Sequence, residues 1–157
     1  FALENPNTFG ALFKSIVEAT HFAAAAENRA DIAKAISPAN YLNQPETVVA
    51  QVLTGRYADG LGEVKNVPDR IDFNPFPWHS MAVWILTQMK RWGYIKGEVD
   101  YRQIAEQVYL AADCGKLMKE LGYEPPKTTY QTYSIMGKTF DPATPDAYVD
   151  SFAIRRS

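Results

Sequence analysis

The sequence predicts a mostly α-helical chain with a small β-hairpin near its end. Two observations support this class. Apolar residues recur at the i, i+3, i+4, i+7 spacing of a helix face through most of residues 1–126, and capping residues stand where these segments begin and end. After Pro125-Pro126 the apolar period changes from about 3.6 to about 2 residues, which is typical of strands. We therefore divide the chain into residues 1–126 and residues 127–157.

The first helix begins at Asn5-Pro6, because asparagine favours the N-cap and proline the first helical position. Its apolar residues share one face, which we expect to be buried: Phe9, Leu12, Phe13, Ile16, Val17 and Thr20. Asn28 is expected to cap a second helix, which ends at Ser37-Pro38 because a residue before proline avoids the helical region.

A third helix is predicted to begin at Gln44-Pro45-Glu46 and to end at Gly55, the residue type that accepts a left-handed conformation. Four apolar residues on it should point inward: Val48, Val49, Val52 and Leu53. Residues 56–77 contain too many glycines and prolines for a helix, and they are too apolar for a flexible linker. We expect an ordered loop there.

Three further helices are predicted after this loop. Ser80 should cap the first of them, which ends at Gly93 and carries one apolar side formed by Met81, Trp84, Ile85, Met89 and Trp92. Asp100 and Gln103 approximate a capping box for the next helix. The last of the three, from about Asp113 to Leu121, ends at Gly122.

The hairpin and a closing helix complete the predicted elements. β-favouring residues between Thr129 and Phe140 flank a turn at Gly137-Lys138. Thr144-Pro145-Asp146 should then cap a short helix that extends to Phe152. Arg155-Arg156 is interpreted as a solvated tail rather than a phosphate site.

The composition excludes several classes of protein. One cysteine among 157 residues permits neither an internal disulfide nor a cysteine-based zinc site. The net charge of −2 offers no concentrated basic face, so we predict no nucleic-acid partner. No segment approaches the roughly 20 consecutive apolar residues that span a bilayer.

His79 and Trp78 are the candidate ligand-binding residues. They stand with Ser80 at the start of a predicted helix, where free N–H groups and the helix dipole favour an anion. In the competing interpretation, Trp78 packs, Ser80 caps the helix and His79 faces solvent. The sequence favours this second interpretation and leaves the anion site as the alternative.

No other residue forms a recognisable active site. His21 lies among alanines on a predicted helix, and Cys114 lacks a motif that would supply a base, so we interpret Cys114 as a small buried residue. Gly60 and Gly62 lack the third glycine of a dinucleotide loop. We therefore predict no catalytic residue, no metal site and no cofactor, and we predict that the protein is not an enzyme.

Several segments resemble the solute-binding proteins of ABC transporters. Phe1–Thr8 followed by Ala11–Ala19 is similar to a helix that occurs late in those proteins. Pro75–Ser80 leading into Trp84–Tyr94 resembles the C-terminal region of their nitrate- and bicarbonate-binding family, and this is the most specific part of the resemblance.

Phe140–Pro142 and Tyr148–Phe152 resemble the end of the same proteins, so the resemblance covers essentially the whole chain. It implies an α/β parent fold with two lobes, of the type II-like periplasmic-binding-protein class. Residues 1–126 would then be the helical C-terminal part of the first lobe, and residues 127–157 a wrapping extension. The ligand residues of the family lie earlier in the sequence, so none is transferred to this chain.

The function that the resemblance implies is binding of a small oxyanion, nitrate, nitrite or bicarbonate, by lobe closure without chemistry. Expected partners are the anion, the membrane permease and the missing N-terminal part of the same protein, since the chain begins abruptly at Phe1. The expected location is the periplasm, or a lipid anchor on the outer face of the inner membrane.

Two alternatives stay open at this point. One is a binding-protein-like regulatory domain of the transporter ATPase, which would be cytoplasmic. The other is an enzyme on the same fold that is related to pyrimidine-precursor synthases.

Overall fold

A computed structural model describes residues 1–153, which divide between Pro75 and Phe76 into two units. The predicted tail at Arg155-Arg156 lies outside the described residues. This division concerns packing within the chain. The predicted boundary at residue 126 concerns the lobes of a longer protein, and it stays a prediction.

The first unit contains three α-helices, a 3-10 turn and one pair of strands. These elements are α1 (Pro6–Ala24), the 3-10 turn Ala26–Asn28, α2 (Arg29–Ile36), α3 (Glu46–Thr54), β1 (Arg56–Ala58) and β2 (Val64–Asn66). The predicted starts of all three helices are confirmed to within a residue or two. Gly55 ends α3 with φ of 72°, as predicted.

The core of the first unit lies between α2 and α3. Ala33, Val49 and Leu53 are buried there, and Ile71 and Phe73 of the following loop pack against them. Hydrophobic burial of this kind contributes about 25 cal/mol per Å² of apolar surface. The loop after β2 is therefore ordered by its own apolar residues, as the sequence predicted.

The predicted burial of two helix faces is confirmed for Val17, Val49 and Leu53 but is wrong for their neighbours on the same faces. Val17 on α1 is completely buried, but Leu12 and Ile16 are 54% and 50% exposed. On α3, Val48 and Val52 are likewise exposed. Helical periodicity identifies an apolar face, but burial requires a partner, and the first unit provides none for these side chains.

A short hairpin in residues 56–66 was not predicted. β1 and β2 are antiparallel, with Tyr57 opposite Lys65. The peptide N–H of Val67 donates to the carbonyl of Gly55 at 2.9 Å and so fixes the hairpin to the end of α3. A Cβ at position 55 would lie 1.9 Å from the Val67 carbonyl oxygen, so this approach requires glycine.

Arg29 is the buried cation of the first unit, with 7% of its surface exposed. Its Nη1 donates to the carbonyls of Leu53 at 3.2 Å and Pro68 at 2.7 Å, and its Nη2 donates to Ala24 at 3.4 Å. Ala24 and Leu53 lie at the C-terminal ends of α1 and α3, where the helix dipoles favour a positive charge. Arg29 therefore joins three segments of backbone.

The second unit contains four helices and a second pair of strands. They are α4 (His79–Arg91), α5 (Tyr101–Val108), α6 (Ala111–Glu120), β3 (Tyr133–Ile135), β4 (Lys138–Phe140) and α7 (Pro145–Asp150). The predicted cap of α5 is confirmed, since the Asp100 carboxylate accepts the Gln103 N–H at 2.9 Å. The predicted β-hairpin is confirmed too, but its turn is Met136-Gly137, both with positive φ, and not the predicted Gly137-Lys138, because Lys138 already pairs with Ile135 in the ladder.

The core of the second unit lies between α4, α5, β4 and α7. Its buried residues are Ala82, Val83, Tyr101, Ala105, Phe140 and Tyr148. The rings of Phe140 and Tyr148 meet edge to face, with centroids 5.1 Å apart, a favourable aromatic geometry. The apolar side that the sequence identified on α4 is not the buried one, because Met81, Ile85 and Trp92 are exposed.

A polar contact between α4, α5 and α7 supports this core. Lys90 Nζ and Tyr101 Oη both donate to Asp146 Oδ1 at 2.9 Å. The bond from Lys90, assisted by the one from Tyr101, holds the pKa of Asp146 below its ordinary value of 3.8. The contact therefore stabilises the folded form when Asp146 is ionised.

The lowered pKa predicts an acid-sensitive contribution to stability. It is fully present above the pKa of unfolded aspartate, and it is lost as the pH falls below about 4, through the lower folded value. Because Asp146 is largely exposed, we expect Asp146→Asn to remove less than about 1 kcal/mol at neutral pH. The variant should also flatten the acid limb of stability measured by urea unfolding. Exposed Glu124→Gln is the control, and an unchanged acid limb in Asp146→Asn would contradict the assignment.

Candidate functional site

The predicted site at residues 78–80 lies at the start of α4. Trp78 is the N-cap residue, with an extended backbone and no capping bond from its side chain. Its half-buried indole packs edge to face on Phe76, with ring centroids 5.1 Å apart. Trp78 therefore packs, as one of the two sequence interpretations held.

His79 is buried, with both ring nitrogens engaged. Nε2 lies 3.0 Å from the carbonyl oxygen of Tyr109, and Nδ1 lies 2.9 Å from the hydroxyl of Thr129. Because a carbonyl only accepts, Nε2 carries a hydrogen and donates it to Tyr109. The Thr129 hydroxyl, which can donate or accept, satisfies Nδ1. The ring also contacts Tyr130 at a centroid distance of 5.4 Å. His79 thus joins the start of α4 to the segments after α5 and before β3.

The interpretation in which His79 faces solvent and Ser80 caps the helix is wrong. Ser80 is completely buried inside the first turn, and its hydroxyl donates to Tyr133 Oη at 3.2 Å. Its peptide N–H points at the carbonyl of Thr129 at 3.4 Å. Protein groups therefore already engage the His79 ring and the Ser80 N–H, two of the donors that an anion would use.

A second polar group lies on α5 and contacts Tyr130. Glu106 accepts from Arg102 Nε at 2.9 Å and from Tyr130 Oη at 3.0 Å. The bond from Arg102 holds the pKa of Glu106 below its ordinary value, while burial and the Glu106 bond raise the pKa of Tyr130 to about 12. Neither group changes its protonation near neutral pH.

An open cleft of about 840 Å³ lies beside this group in the second unit. Its polar lining comes from the N-terminal end of α5 and from the segments on either side of the β3–β4 hairpin, and it includes Glu98, Asp100, Arg102, Gln131, Thr132 and Asp141. Its size is that of a small-molecule site. The carboxylates outnumber the single arginine, so this cleft does not suit a small anion.

The other two candidate residues, Cys114 and His21, lie on helices outside this cleft. Cys114 is completely buried in α6, as predicted, and burial raises the pKa of its thiol, which disfavours the reactive thiolate. His21 is half-buried on α1. Within residues 1–153, no three His, Cys, Asp or Glu side chains converge in a way that suits a metal ion. None of the helices in the same range has the length and apolarity needed to cross a bilayer.

Known proteins match nearly the whole chain, although no family model does. The nitrate/nitrite binding protein NrtA of Nostoc sp. is 29% identical over 98% of this chain and 37% of its own length. A bicarbonate-binding protein of Synechococcus elongatus also matches. The chain is homologous to part of the nitrate- and bicarbonate-binding proteins. The nitrate import ATP-binding protein NrtC of Synechocystis matches too, at 27% identity over 96% of this chain and 23% of its own length.

The fold of these binding proteins is confirmed by structure. The crystal structure of the periplasmic nitrate-binding protein NrtA from Synechocystis superposes with a TM-score of 0.89, at 23% identity, over 99% of this chain and 43% of that one. The predicted parent fold and the mostly helical character of this piece are therefore both confirmed. The chain spans little more than a third of the length of the binding-protein relatives that it matches.

Proposed function

We propose that the chain is part of the substrate-binding component of an ABC transporter for a small oxyanion of the nitrate, nitrite or bicarbonate class. The observation that carries this proposal is the match to both nitrate- and bicarbonate-binding proteins over 98% of the chain. We propose binding by closure of two lobes, in which the ligand favours the closed form and no bond is made or broken.

The partners and the location follow from the same proposal. The anion, the membrane permease and an N-terminal part of the same polypeptide would be the partners. The protein would act in the periplasm, or from a lipid anchor on the outer face of the inner membrane. The residues that select the anion would lie in the N-terminal part, because the described cleft of this chain is rich in carboxylates.

Calorimetric titration of the full-length protein tests the proposal. The intact mass is measured first, and nitrate, nitrite, cyanate and bicarbonate with calcium are then titrated separately. We expect a mass well above 17.6 kDa and heat from one oxyanion class. Absence of heat from all four ligands would overturn the proposal.

The exposed apolar faces of α1 and α4 support the proposed N-terminal part. The exposed fractions lie between 37% and 54% for Leu12 and Ile16 on α1, for Met81 and Ile85 on α4, and for Trp92, the C-cap residue of α4. Large exposed apolar patches mark surfaces that another structure covers. We expect the 157-residue chain alone to be unstable, or to stay bound to the complementary part of the protein.

This expectation is tested with the isolated chain. Sedimentation and thermal unfolding should reveal self-association or a non-cooperative transition, and Leu12→Ser with Ile16→Ser should reduce the self-association. Leu61→Ser, at an 89% exposed loop position, is the matched control and should have no effect. A monomer with a cooperative transition would contradict the expectation.

We further propose that Trp78 and His79 border the ligand cleft of the complete protein. Replacing His79 with alanine should then weaken anion binding, because the ring holds the start of α4 to Tyr109 and Thr129 and so positions this edge of the cleft. Trp78→Phe keeps an aromatic ring against Phe76 and separates ligand contact from packing. Unchanged dissociation constants in both variants would exclude these residues from the site.

The second candidate function is a regulatory domain attached to the transporter ATPase. The match to the nitrate import ATP-binding protein NrtC favours it, because that match covers 96% of this chain. A Walker sequence upstream of Phe1, together with ATP hydrolysis that responds to the anion, would establish this alternative. A signal peptide upstream would favour the binding protein.

A further inference from the structure

We propose that a cavity beside Arg29 in the first unit binds a small zwitterionic amino carboxylate. The carboxylate would lie on the Arg29 guanidinium, and the ammonium group on Asp69 and Asp72. The cavity has a volume of about 410 Å³ and is lined by Ala24, Arg29, Asp69, Ile71, Asp72 and Phe73. This site is independent of the proposed anion transport.

Two N–H groups of the Arg29 guanidinium have no hydrogen-bond acceptor among residues 1–153. Arginine carries five N–H groups, and the three bonds to Leu53, Pro68 and Ala24 use three of them. The Nε atom is buried and has no hydrogen-bond partner within residues 1–153. The two unused hydrogens belong to neighbouring nitrogens, Nε and Nη2. Arginine binds the two oxygens of a carboxylate through just such paired donors.

The charge of Arg29 also lacks a counter-ion. Its three partners are neutral carbonyls, and no ion pair joins it to Asp69 or Asp72 in the described part of the chain. A buried cation is costly unless an anionic group is paired with it. A ligand carboxylate on the two unused donors supplies that charge.

Asp69 and Asp72 determine which class of ligand suits the cavity. Both are exposed at the cavity wall, and one oxygen of Asp72 accepts the Asn74 N–H at 2.9 Å. Two carboxylates repel a simple anion but accept hydrogen bonds from an ammonium group. Ile71 and Phe73 form the apolar part of the lining, which suits a short aliphatic side chain. The ligand class is therefore a small α-amino acid rather than an inorganic anion.

Three matched probes test the proposal on the full-length protein. L-Valine carries both charges, isovalerate lacks its ammonium group and isobutylamine lacks its carboxylate. Titrations are followed by NMR at the Arg29 Nε–H resonance. We expect valine to shift this resonance and to bind about tenfold more tightly than either analogue, since each analogue loses one charge-assisted contact.

Replacing both aspartates with asparagine tests the ammonium contact while Arg29 stays unchanged. The double variant Asp69→Asn and Asp72→Asn should weaken valine binding about tenfold. It should not weaken isovalerate binding, because the two carboxylates only repel that anion. Asp31→Asn, on the exposed face of α2 outside the cavity, is the control for loss of charge. A resonance that does not respond to valine would overturn the proposal. So would equal affinities for valine and isovalerate, or a double variant that binds valine normally.

Discussion

Phe140→Ala is expected to lower the free energy of unfolding of the second unit by about 3–5 kcal/mol, the range for large-to-small changes at fully buried aromatic positions. Phe140 is completely buried, and Tyr148 of α7 packs on its ring. Removing the ring leaves a cavity between α4, β4 and α7. Urea unfolding measures the loss, and hydrogen exchange should accelerate first in β4 and α7.

The control for Phe140→Ala lies on the same hairpin. Met136 occupies the turn and is 62% exposed, so Met136→Ala should change the unfolding free energy by less than about 0.5 kcal/mol. Similar losses in the two variants would mean that the hairpin tolerates no change at all. In that case the effect at Phe140 could not be assigned to its ring.

Arg29→Met is expected to destabilise the first unit by about 2–4 kcal/mol, because three backbone carbonyls lose a charged donor. The methionine side chain retains much of the apolar contact but donates nothing to Leu53, Pro68 or Ala24. The loop after β2 should then detach from the end of α3. Limited proteolysis near Pro68 and urea unfolding together measure this.

Arg56→Met is the matched control for Arg29→Met, because it makes the same chemical change at an exposed strand position. It should be nearly neutral. Arg29→Lys distinguishes charge from geometry, since lysine keeps the charge but cannot reach three carbonyls with a fixed fork. Full stability of Arg29→Met would show that the three bonds contribute nothing net.

Local signals were sufficient to place the helices. Asn5-Pro6 predicted the start of α1, the Asp100 and Gln103 pair predicted the cap of α5, and Gly55 predicted the end of α3. Each of these features acts within one helical turn, so the sequence alone contains it. The two strands of three residues at 56–66 were missed, because Gly60 and Gly62 interrupt any period and the strands are too short to show one.

The site was less predictable, because it depends on distant residues. His79 bonds to Tyr109 and Thr129, which are 30 and 50 positions away in the sequence. No local pattern indicates such contacts, so the sequence left His79 between an anion site and solvent. The predicted burial of α1 and α3 was wrong at Leu12, Ile16, Val48 and Val52 for a related reason. Periodicity predicts which residues are apolar on one side, but not whether this chain supplies the surface that covers them.

Trp92 is an intrinsic fluorescent probe for whatever covers α4. Its indole is 54% exposed, whereas Trp84 is half-buried and donates to Tyr148 Oη at 3.3 Å. Trp92 should therefore emit at long wavelength and be accessible to collisional quenchers, while Trp84 is shielded. If another part of the polypeptide covers α4, the emission of Trp92 shifts to the blue and quenching falls. Intrinsic tryptophan fluorescence thus measures the association of this chain with the rest of the polypeptide without a label.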